Sequence, residues 1–240
     1  MKGVIVTRAP GVTVVDVSHG IPPQDVLAGA LVLAHAVPYF PSGTVHVAVV
    51  DPGVGGARRA LCVETDAGLL VGPDNGLLSL AAPPASVRRI VHLTDERFFL
   101  TPRSQTFHGR DVFAPVAAAL AGGTDPGALG PAVSDLLRLR VPEPAVEGSA
   151  VRGRVIYVDA FGNLVTNVTP GVMPTGEVVI RLGSTRVSGV AASYAAVAVG
   201  LPVAVVNSWG LLEVAVRDGS ARTALGAGVG DEVLVEPTGP

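Results

Sequence analysis

Thr44-Val45-His46-Val47-Ala48-Val49-Val50 runs directly into Asp51-Pro52-Gly53-Val54-Gly55, with Arg58 and Arg59 a few residues on. The first seven residues are largely apolar and β-branched, the pattern of a buried strand. Proline and two glycines in the next five residues end that strand in a turn. A strand that carries a carboxylate into a Pro/Gly turn, with guanidinium groups close behind, is how an α/β protein presents polar chemistry at a sheet edge. A second polar cluster, Thr106-Phe107-His108-Gly109-Arg110-Asp111, lies downstream.

Outward from this strand the first half alternates strand-like and helix-like patterns. Val12 to Val17 reads as a strand that ends at Ser18-His19-Gly20-Ile21-Pro22-Pro23, and Asp25 to Tyr39 as a helix closed by Pro38 and Pro41. Leu61 to Thr65 and Gly68 to Val71 form a hairpin pattern with Asp66-Ala67-Gly68 at the turn. Asn75 to Ala82 reads as a short helix, Arg89 to Leu93 as a strand, and Asp111 to Ala121 as a helix stopped by Gly122-Gly123. Strands separated by helices predict an α/β, sandwich-like domain over residues 1–140 with a mainly parallel sheet.

Composition changes after Leu137. Residues 141–148, Val-Pro-Glu-Pro-Ala-Val-Glu-Gly, read as a linker. Short β-rich runs follow at Val151–Val158, Val178–Leu182, Val203–Asn207, Leu211–Val216 and Glu232–Val235. They predict a small antiparallel, β-barrel-like domain over residues 150–240.

With 48% hydrophobic and 15% charged residues in 240, the chain buries an ample core and is not disordered. A net charge of −3 lacks the basic face that a nucleic-acid or anionic-membrane partner requires. Residues 189–206 carry no charge, but Gly200 and Pro202 and the absence of flanking basic clusters argue for strands and a loop over a membrane span. Met1-Lys2-Gly3-Val4 has no apolar core of a signal peptide, so a cytoplasmic location is expected. The lone Cys62 sits in an apolar run and reads as a small buried hydrophobe, with no disulfide to form.

Asp51, Arg58 and His108 supply a carboxylate, a permanent cation and a group that titrates near neutrality. Arg58 can only fix charge or polarise an oxygen, His108 can pass a proton, and Asp51 can orient the imidazole. Each also has a plain structural reading: a turn carboxylate, a solvated cation, a helix-start histidine. Sequence separation alone does not bring them together. Other chemistries fail on spacing. There is no Gly-x-Ser-x-Gly elbow, no His-Glu-x-x-His or paired-cysteine metal motif, and no lysine after Gly53, Gly55 and Gly56 for a phosphate loop. No metal site is expected.

The order of several motifs is more specific. Asp16-Val17-Ser18-His19-Gly20-Ile21, Gly43-Thr44-Val45-His46-Val47 leading into Asp51-Pro52-Gly53-Val54-Gly55, Pro73-Asp74-Asn75-Gly76, and Thr106 to Asp111 follow one another. Asp159-Ala160-Phe161-Gly162-Asn163-Leu164-Val165-Thr166-Asn167 and Asn207-Ser208-Trp209-Gly210-Leu211-Leu212-Glu213-Val214-Ala215 complete the series. Together, over nearly the whole chain, they resemble the S-adenosylmethionine (SAM) hydroxide adenosyltransferases, or SAM hydrolases, which are related to the SAM-dependent fluorinases and chlorinases.

The resemblance implies hydrolysis of SAM to adenosine and L-methionine by attack of water at the ribose C5′. SAM is then the substrate and no cofactor is needed. It implies a homotrimer with sites between subunits. It places an Asp-Arg-His set on Asp51, Arg58 and His108, with Arg58 favouring hydroxide and His108 with Asp51 accepting the proton. Thr106, Phe107 and Gly109 would flank C5′. Asp159 would hold the methionine ammonium, with Phe161 and Asn163 around the nucleoside, and Ser208, Glu213 and Ala215 as further substrate contacts. Asp-Pro-Gly-Val-Gly and His108-Gly109 favour the hydroxide branch over the halide branch, a SAM-dependent halogenase being the enzymatic alternative. The family pattern also sets a strand and a Thr-Asp-Phe-Gly motif before the Met-Lys-Gly helix, whereas this sequence begins at Met1-Lys2-Gly3. On that ground a catalytically impaired SAM- or adenosine-binding protein is the third reading.

Overall fold

The structure, a computed structural model, describes residues 1–239. The chain forms two units, Met1–Leu139 and a second that begins at Arg140.

In the first unit, helices α1 (Lys2–Arg8) and α2 (Val26–Ala36) precede the strand that opens the sequence analysis, β1 (Thr44–Val47). Strands β2 (Ala60–Thr65), β3 (Gly68–Pro73), β4 (Val87–His92) and β5 (Ala132–Val133) complete a sheet of order β1-β3-β2-β4-β5, with helix α3 (Ala114–Ala121) between β4 and β5 in sequence. The sheet is mixed. β1 and β3 pair in parallel, whereas β3–β2, β2–β4 and β4–β5 are antiparallel, so parallel pairing is confined to the edge that carries Asp51. The reason is local: only Asp66 and Ala67 separate β2 from β3, and so short a connection can join only antiparallel neighbours.

Both faces of this sheet are buried, because β2 and β3 are nearly continuous apolar runs whose successive side chains point to opposite faces. Cys62, Val71 and Val91 face Phe113, Val116 and Leu120 around α3. Leu61, Val63, Leu70 and Ile90 face Leu33 and Val37 of the α2 region and Leu78. The result is the expected layered α/β arrangement. Helix α2 starts where Asp25 caps it, its Oδ1 accepting the Ala28 N–H at 2.9 Å.

Three local readings change. Val12–Val17 forms no strand; Val15 and Val17 stay exposed, and Asp16 instead accepts from Lys2 and His19. Asn75–Ala82 is a run of turns. Asn75 Oδ1 takes the Leu77 N–H, Ser79 Oγ donates to the Gly76 carbonyl, and Gly76 adopts φ +98°, all of which compete with a helix. The helix read from Asp111 begins with a π-helical turn, Gly109–Phe113, before α3.

The second unit is built from β6 (Ala145–Glu147), β7 (Ala150–Val158), β8 (Leu164–Thr166), β9 (Val178–Leu182), β10 (Thr185–Ser188), β11 (Pro202–Val206), β12 (Leu212–Val216), the short helix α4 (Ala221–Leu225) and β13 (Glu232–Pro237). Its order is β10-β9-β13-β7-β8-β12-β11, with β6 on β7, and every strand pair is antiparallel. Ala191, just beyond β10, bridges Val205 of β11, so the two ends of the sheet approach each other in a barrel-like closure. Val155, Leu164, Ile180, Leu212, Val214 and Val233 fill the interior. Residues 141–148, read as a linker, contribute β6 to this sheet. Among the described residues no helix is long and apolar enough to cross a membrane.

Replacing Asp25 with Ala removes the cap of α2 and should cost about 1 kcal/mol of stability, with Asn retaining most of it. Urea denaturation of the two variants checks this; equal loss for both would show that the side-chain oxygen contributes nothing.

Candidate active site

Asp51 lies four residues past the end of β1, directly before the Pro52-Gly53 turn. Two contacts fix that end. The Ala48 N–H donates to the Val71 carbonyl, extending the β1–β3 pairing, and the Asn75 side-chain amide donates to the Val50 carbonyl at 2.8 Å. Asp74 accepts from Arg59 Nε at 2.8 Å and from the Leu137 N–H at 2.7 Å, so the Pro-Asp-Asn-Gly motif braces the base of the site.

Arg58 turns back onto Asp51. Its Nε lies 3.0 Å from both carboxylate oxygens, and its Nη2 donates to Oδ2. The pair is largely out of solvent, with side-chain exposures of 10% for Arg58 and 5% for Asp51. The same Nη2 lies 2.8 Å from His108 Nδ1, and the guanidinium carbon sits 5.3 Å from the Phe113 ring centroid. The three residues therefore meet although His108 lies 50 positions beyond Arg58 in sequence, with Arg58 in the middle. Asp51 was expected to orient the imidazole; its carboxylate is held by Arg58 instead.

This geometry assigns the histidine tautomer. A guanidinium has no lone pair, so Arg58 must donate and Nδ1 must accept. The imidazole is then neutral, with its proton on Nε2. Burial first, and then the positive charges of Arg58 and Arg103, push the His108 pKa below its ordinary value, in accord with a neutral ring. His108 Nε2 is buried and has no hydrogen-bond partner. A buried N–H left open at a polar cluster marks a place for a ligand oxygen.

The loop that carries His108 is anchored by Asp111, which is 1% exposed. Its carboxylate accepts from Arg110 Nε at 2.6 Å and from the Ser104 N–H at 2.8 Å, and Arg110 followed by the Ser104 contact holds its pKa below the usual range. Thr106 and Phe107 lie on the exposed outer side of this loop, with the Arg110 guanidinium 5.0 Å from the Phe107 ring. Gly109 is buried, and a Cβ there would meet Met1 Sδ at 3.2 Å. The two loops touch where Gly55, at φ +74°, approaches the Gln105 carbonyl; a Cβ on Gly55 would stand 2.3 Å from that oxygen.

In the second unit Asp159 follows β7 and closes an Asx turn. Its Oδ1 accepts the N–H groups of Phe161 and Asn163, and its Oδ2 accepts from the Asn163 amide at 3.0 Å. Asp159, Ser208 and Glu213 line one cavity of about 430 Å³. Phe161, 79% exposed, and buried Asn163 do not line it, and Ala215 is packed with Val203 and Val205. The cavity also holds Tyr157, Tyr194, Asn207 and Trp209, which the motifs did not single out as site residues. The single tryptophan and two of the three tyrosines converge here. The Tyr157 and Trp209 rings lie 5.2 Å apart. Among the described residues no group of His, Cys, Asp and Glu is arranged to hold a metal ion.

Family models described as the SAM hydroxide adenosyltransferase N-terminal and C-terminal domains match residues 1–130 and 153–234. A protein from Salinispora tropica named (R)-S-adenosyl-L-methionine hydrolase is 45% identical over 239 residues, covering 97% of this chain and 90% of its own. One of the same name from Thermus thermophilus is 46% identical over 233 residues, covering 94% and 89%. The crystal structure of an uncharacterized conserved protein from Thermotoga maritima superposes with a TM-score of 0.89 at 34% identity, covering 98% of this chain and 93% of that one. A protein named fluorinase from Actinoplanes sp. is more distant, at 29% identity over 194 residues, covering 70% and 65%.

Gly55→Ala should lower stability by about 1–3 kcal/mol, because it imposes a left-handed conformation on a residue with a Cβ and pushes the Gln105 loop away. Denaturant titration reads the loss; a change below the error of the fit would mean that the two loops are not locked together there.

Proposed function

The chain belongs to the SAM hydroxide adenosyltransferase family, and from that premise we propose that it hydrolyses S-adenosyl-L-methionine to adenosine and L-methionine, with water or hydroxide attacking the ribose C5′. The observation that carries this reading is the Asp51–Arg58–His108 chain, which ends in a buried Nε2–H with no partner. A cation and an aimed N–H donor suit an oxygen nucleophile on its way to hydroxide.

The oxygen forms a bond to C5′ while the C5′–S bond breaks and its electron pair returns to sulfur. SAM loses its sulfonium charge, methionine leaves as a neutral thioether, and the water gives up one proton to solvent. The leaving group needs no protonation. The difficulty lies in the nucleophile, since bulk water has a pKa of about 15.7. Arg58 favours its anionic form electrostatically, and the His108 Nε2–H holds its oxygen in line. Asp51 keeps the guanidinium fork oriented. Because His108 Nδ1 is occupied by Arg58, His108 acts as a donor to the nucleophile and not as its base.

Thr106, Phe107 and Gly109 are assigned beside C5′, and Asp159, Phe161, Asn163, Ser208, Glu213 and Ala215 to the rest of SAM. The assembly is a homotrimer with sites between subunits, located in the cytoplasm, and the reaction uses no cofactor. The greater similarity to proteins named hydrolases than to one named fluorinase supports water as the nucleophile over halide.

Purified protein incubated with SAM in halide-free buffer should release adenosine and methionine. Halogenated adenosine in chloride or fluoride would transfer the chain to the alternative chemistry. His108→Ala and Arg58→Lys should each lower kcat by about 10²-fold or more with a smaller change in KM. Lysine keeps the charge but cannot bond Asp51 and His108 as a fork. Activity also requires neutral His108, whose pKa is depressed below 6.5. The rate should therefore hold as pH falls to 6.5 and decline only below it, as the imidazole becomes charged. An acid limb centred above 6.5 in the kcat profile, absent in His108→Ala, would contradict the neutral-donor role.

A further inference from the structure

The helical run that carries His108 continues from that residue to Ala121 and has Pro115 inside it. Proline has no N–H, and its ring clashes with the carbonyl four residues back. Here that carbonyl belongs to Asp111. The hydrogen-bond ladder opens around this pair. At the start of the run the Asp111 N–H donates to the Phe107 carbonyl, an i to i−4 bond. The Ala114 N–H donates to the Gly109 carbonyl, an i to i−5 bond, and Gly109–Phe113 is the resulting π-helical turn. Beyond Pro115 the i−4 spacing is back, as where the Gly122 N–H meets the Ala118 carbonyl at 3.0 Å. The Asp111 carbonyl, which has no N–H to meet at residue 115, accepts the Leu100 N–H at 2.8 Å. That bond ties the turn to the start of the loop that leads to His108.

The wider turn decides which side chains share a face. At about 100° per residue, α-helical positions five apart point about 140° away from each other. In an α-helix the neighbours of Phe113 on its own face would be Gly109 and Arg110. Bonds that close from i to i−5 bring positions five apart round to one face. His108 and Phe113 stand in that relation, and both meet Arg58. The imidazole Nδ1 lies 2.8 Å from Nη2, and the Phe113 ring centroid lies 5.3 Å from the guanidinium carbon. Phe113 is fully buried with Val116 and Leu120, and Pro115 is buried beside it. The core therefore fixes the far end of the turn, and His108 is the end whose direction the turn sets.

We propose that Pro115 is a positioning residue for the reaction: by excluding an α-turn over Asp111 it enforces the π-helical turn that puts His108 on the same face as Phe113 and so onto the Arg58 guanidinium. Pro115 acts through the backbone and not through its own side-chain chemistry. The inference rests on the SAM-hydrolase reading only for the reaction that His108 serves.

The test uses two variants of the full chain, Pro115→Ala and Pro115→Val. Both supply an N–H for the Asp111 carbonyl, but only valine keeps most of the buried volume. In both, the turn should tighten to α-helical spacing and His108 should leave Arg58. NMR of isotope-labelled histidine nitrogens reads this without turnover. The single Nε2–H tautomer should be lost, and the His108 titration midpoint should rise from below 6.5 towards it. With SAM as substrate, kcat should fall by about 10²-fold in both variants while KM changes by less than about 3-fold. An unchanged tautomer and midpoint in both variants overturn the proposal. So does activity that Pro115→Val keeps and Pro115→Ala loses, which would make Pro115 a matter of volume. Hydrogen exchange on the unmodified protein decides the matter should neither variant fold: the Leu100 amide should be protected to the same degree as the amides of α3, and exchange as fast as an open loop overturns the proposal. Absence of adenosine release from SAM by the unmodified protein would overturn the reaction and not the placement of His108, which the NMR measurement reads on its own.

Discussion

The first unit's site depends on one guanidinium. Arg58 reaches the Asp51 carboxylate with Nε and Nη2 and the His108 imidazole with the same Nη2, while its face lies against Phe113. A planar fork makes such demands on its neighbours that small displacements break one bond or the other. Much of the surrounding sequence meets that demand. Asn75 holds the Val50 carbonyl, Asp111 ties down Ser104, and Gly55 lets the Asp51 turn touch the Gln105 backbone. A buried ion pair of this kind adds little to stability on its own, since desolvation offsets the Coulomb attraction. Its consequence is geometric: it fixes one tautomer and one direction for His108.

Two kinds of hydrogen-bonded carboxylate stand in contrast in this chain. Asp51 and Asp111 are satisfied by arginines, and their charge is spent inside the protein. Glu213 and Asp159 are satisfied by an amide, a hydroxyl and backbone N–H groups, which supply hydrogen bonds but no net charge. Counting hydrogen bonds would rank these groups alike. Counting charge separates them: the first pair is neutralised within the protein, and the second is held by neutral donors alone.

How much of this was legible in the sequence depended on how local each signal is. The β2–β3 hairpin, the Asp25-capped helix and strands β7, β9, β11, β12 and β13 follow from periodicity, caps and turns, which act over a few residues. Val12–Val17 has strand composition yet pairs with no strand, because β-propensity describes a fit to neighbours and is not a property of the run itself. Asn75–Ala82 lost its helix to side chains that bond their own backbone. Motif order pointed to Asp51, Arg58 and His108, but not to which of them touch; the fork of Arg58 decided that. Tyr157, Tyr194 and Trp209 were illegible because their meeting depends on the β7–β8, β8–β12 and β12–β11 registers and the closure at Ala191–Val205, all non-local.

The charge of the first unit's site matches the nucleophile of the proposed reaction. A neutral histidine N–H beside a fixed arginine favours an anionic oxygen. Hydroxide and sulfonium are each strongly stabilised by water as ions, yet their reaction annihilates both charges, so bulk solvent stabilises the reactants more than the transition state. A protein that holds each ion with fixed dipoles and charges replaces that solvation and needs no solvent rearrangement as the charges vanish. Over-neutralising either ion would forfeit the advantage. Hence Arg58 is itself partly offset by Asp51: the site carries enough charge to favour an anionic oxygen while leaving it free to react.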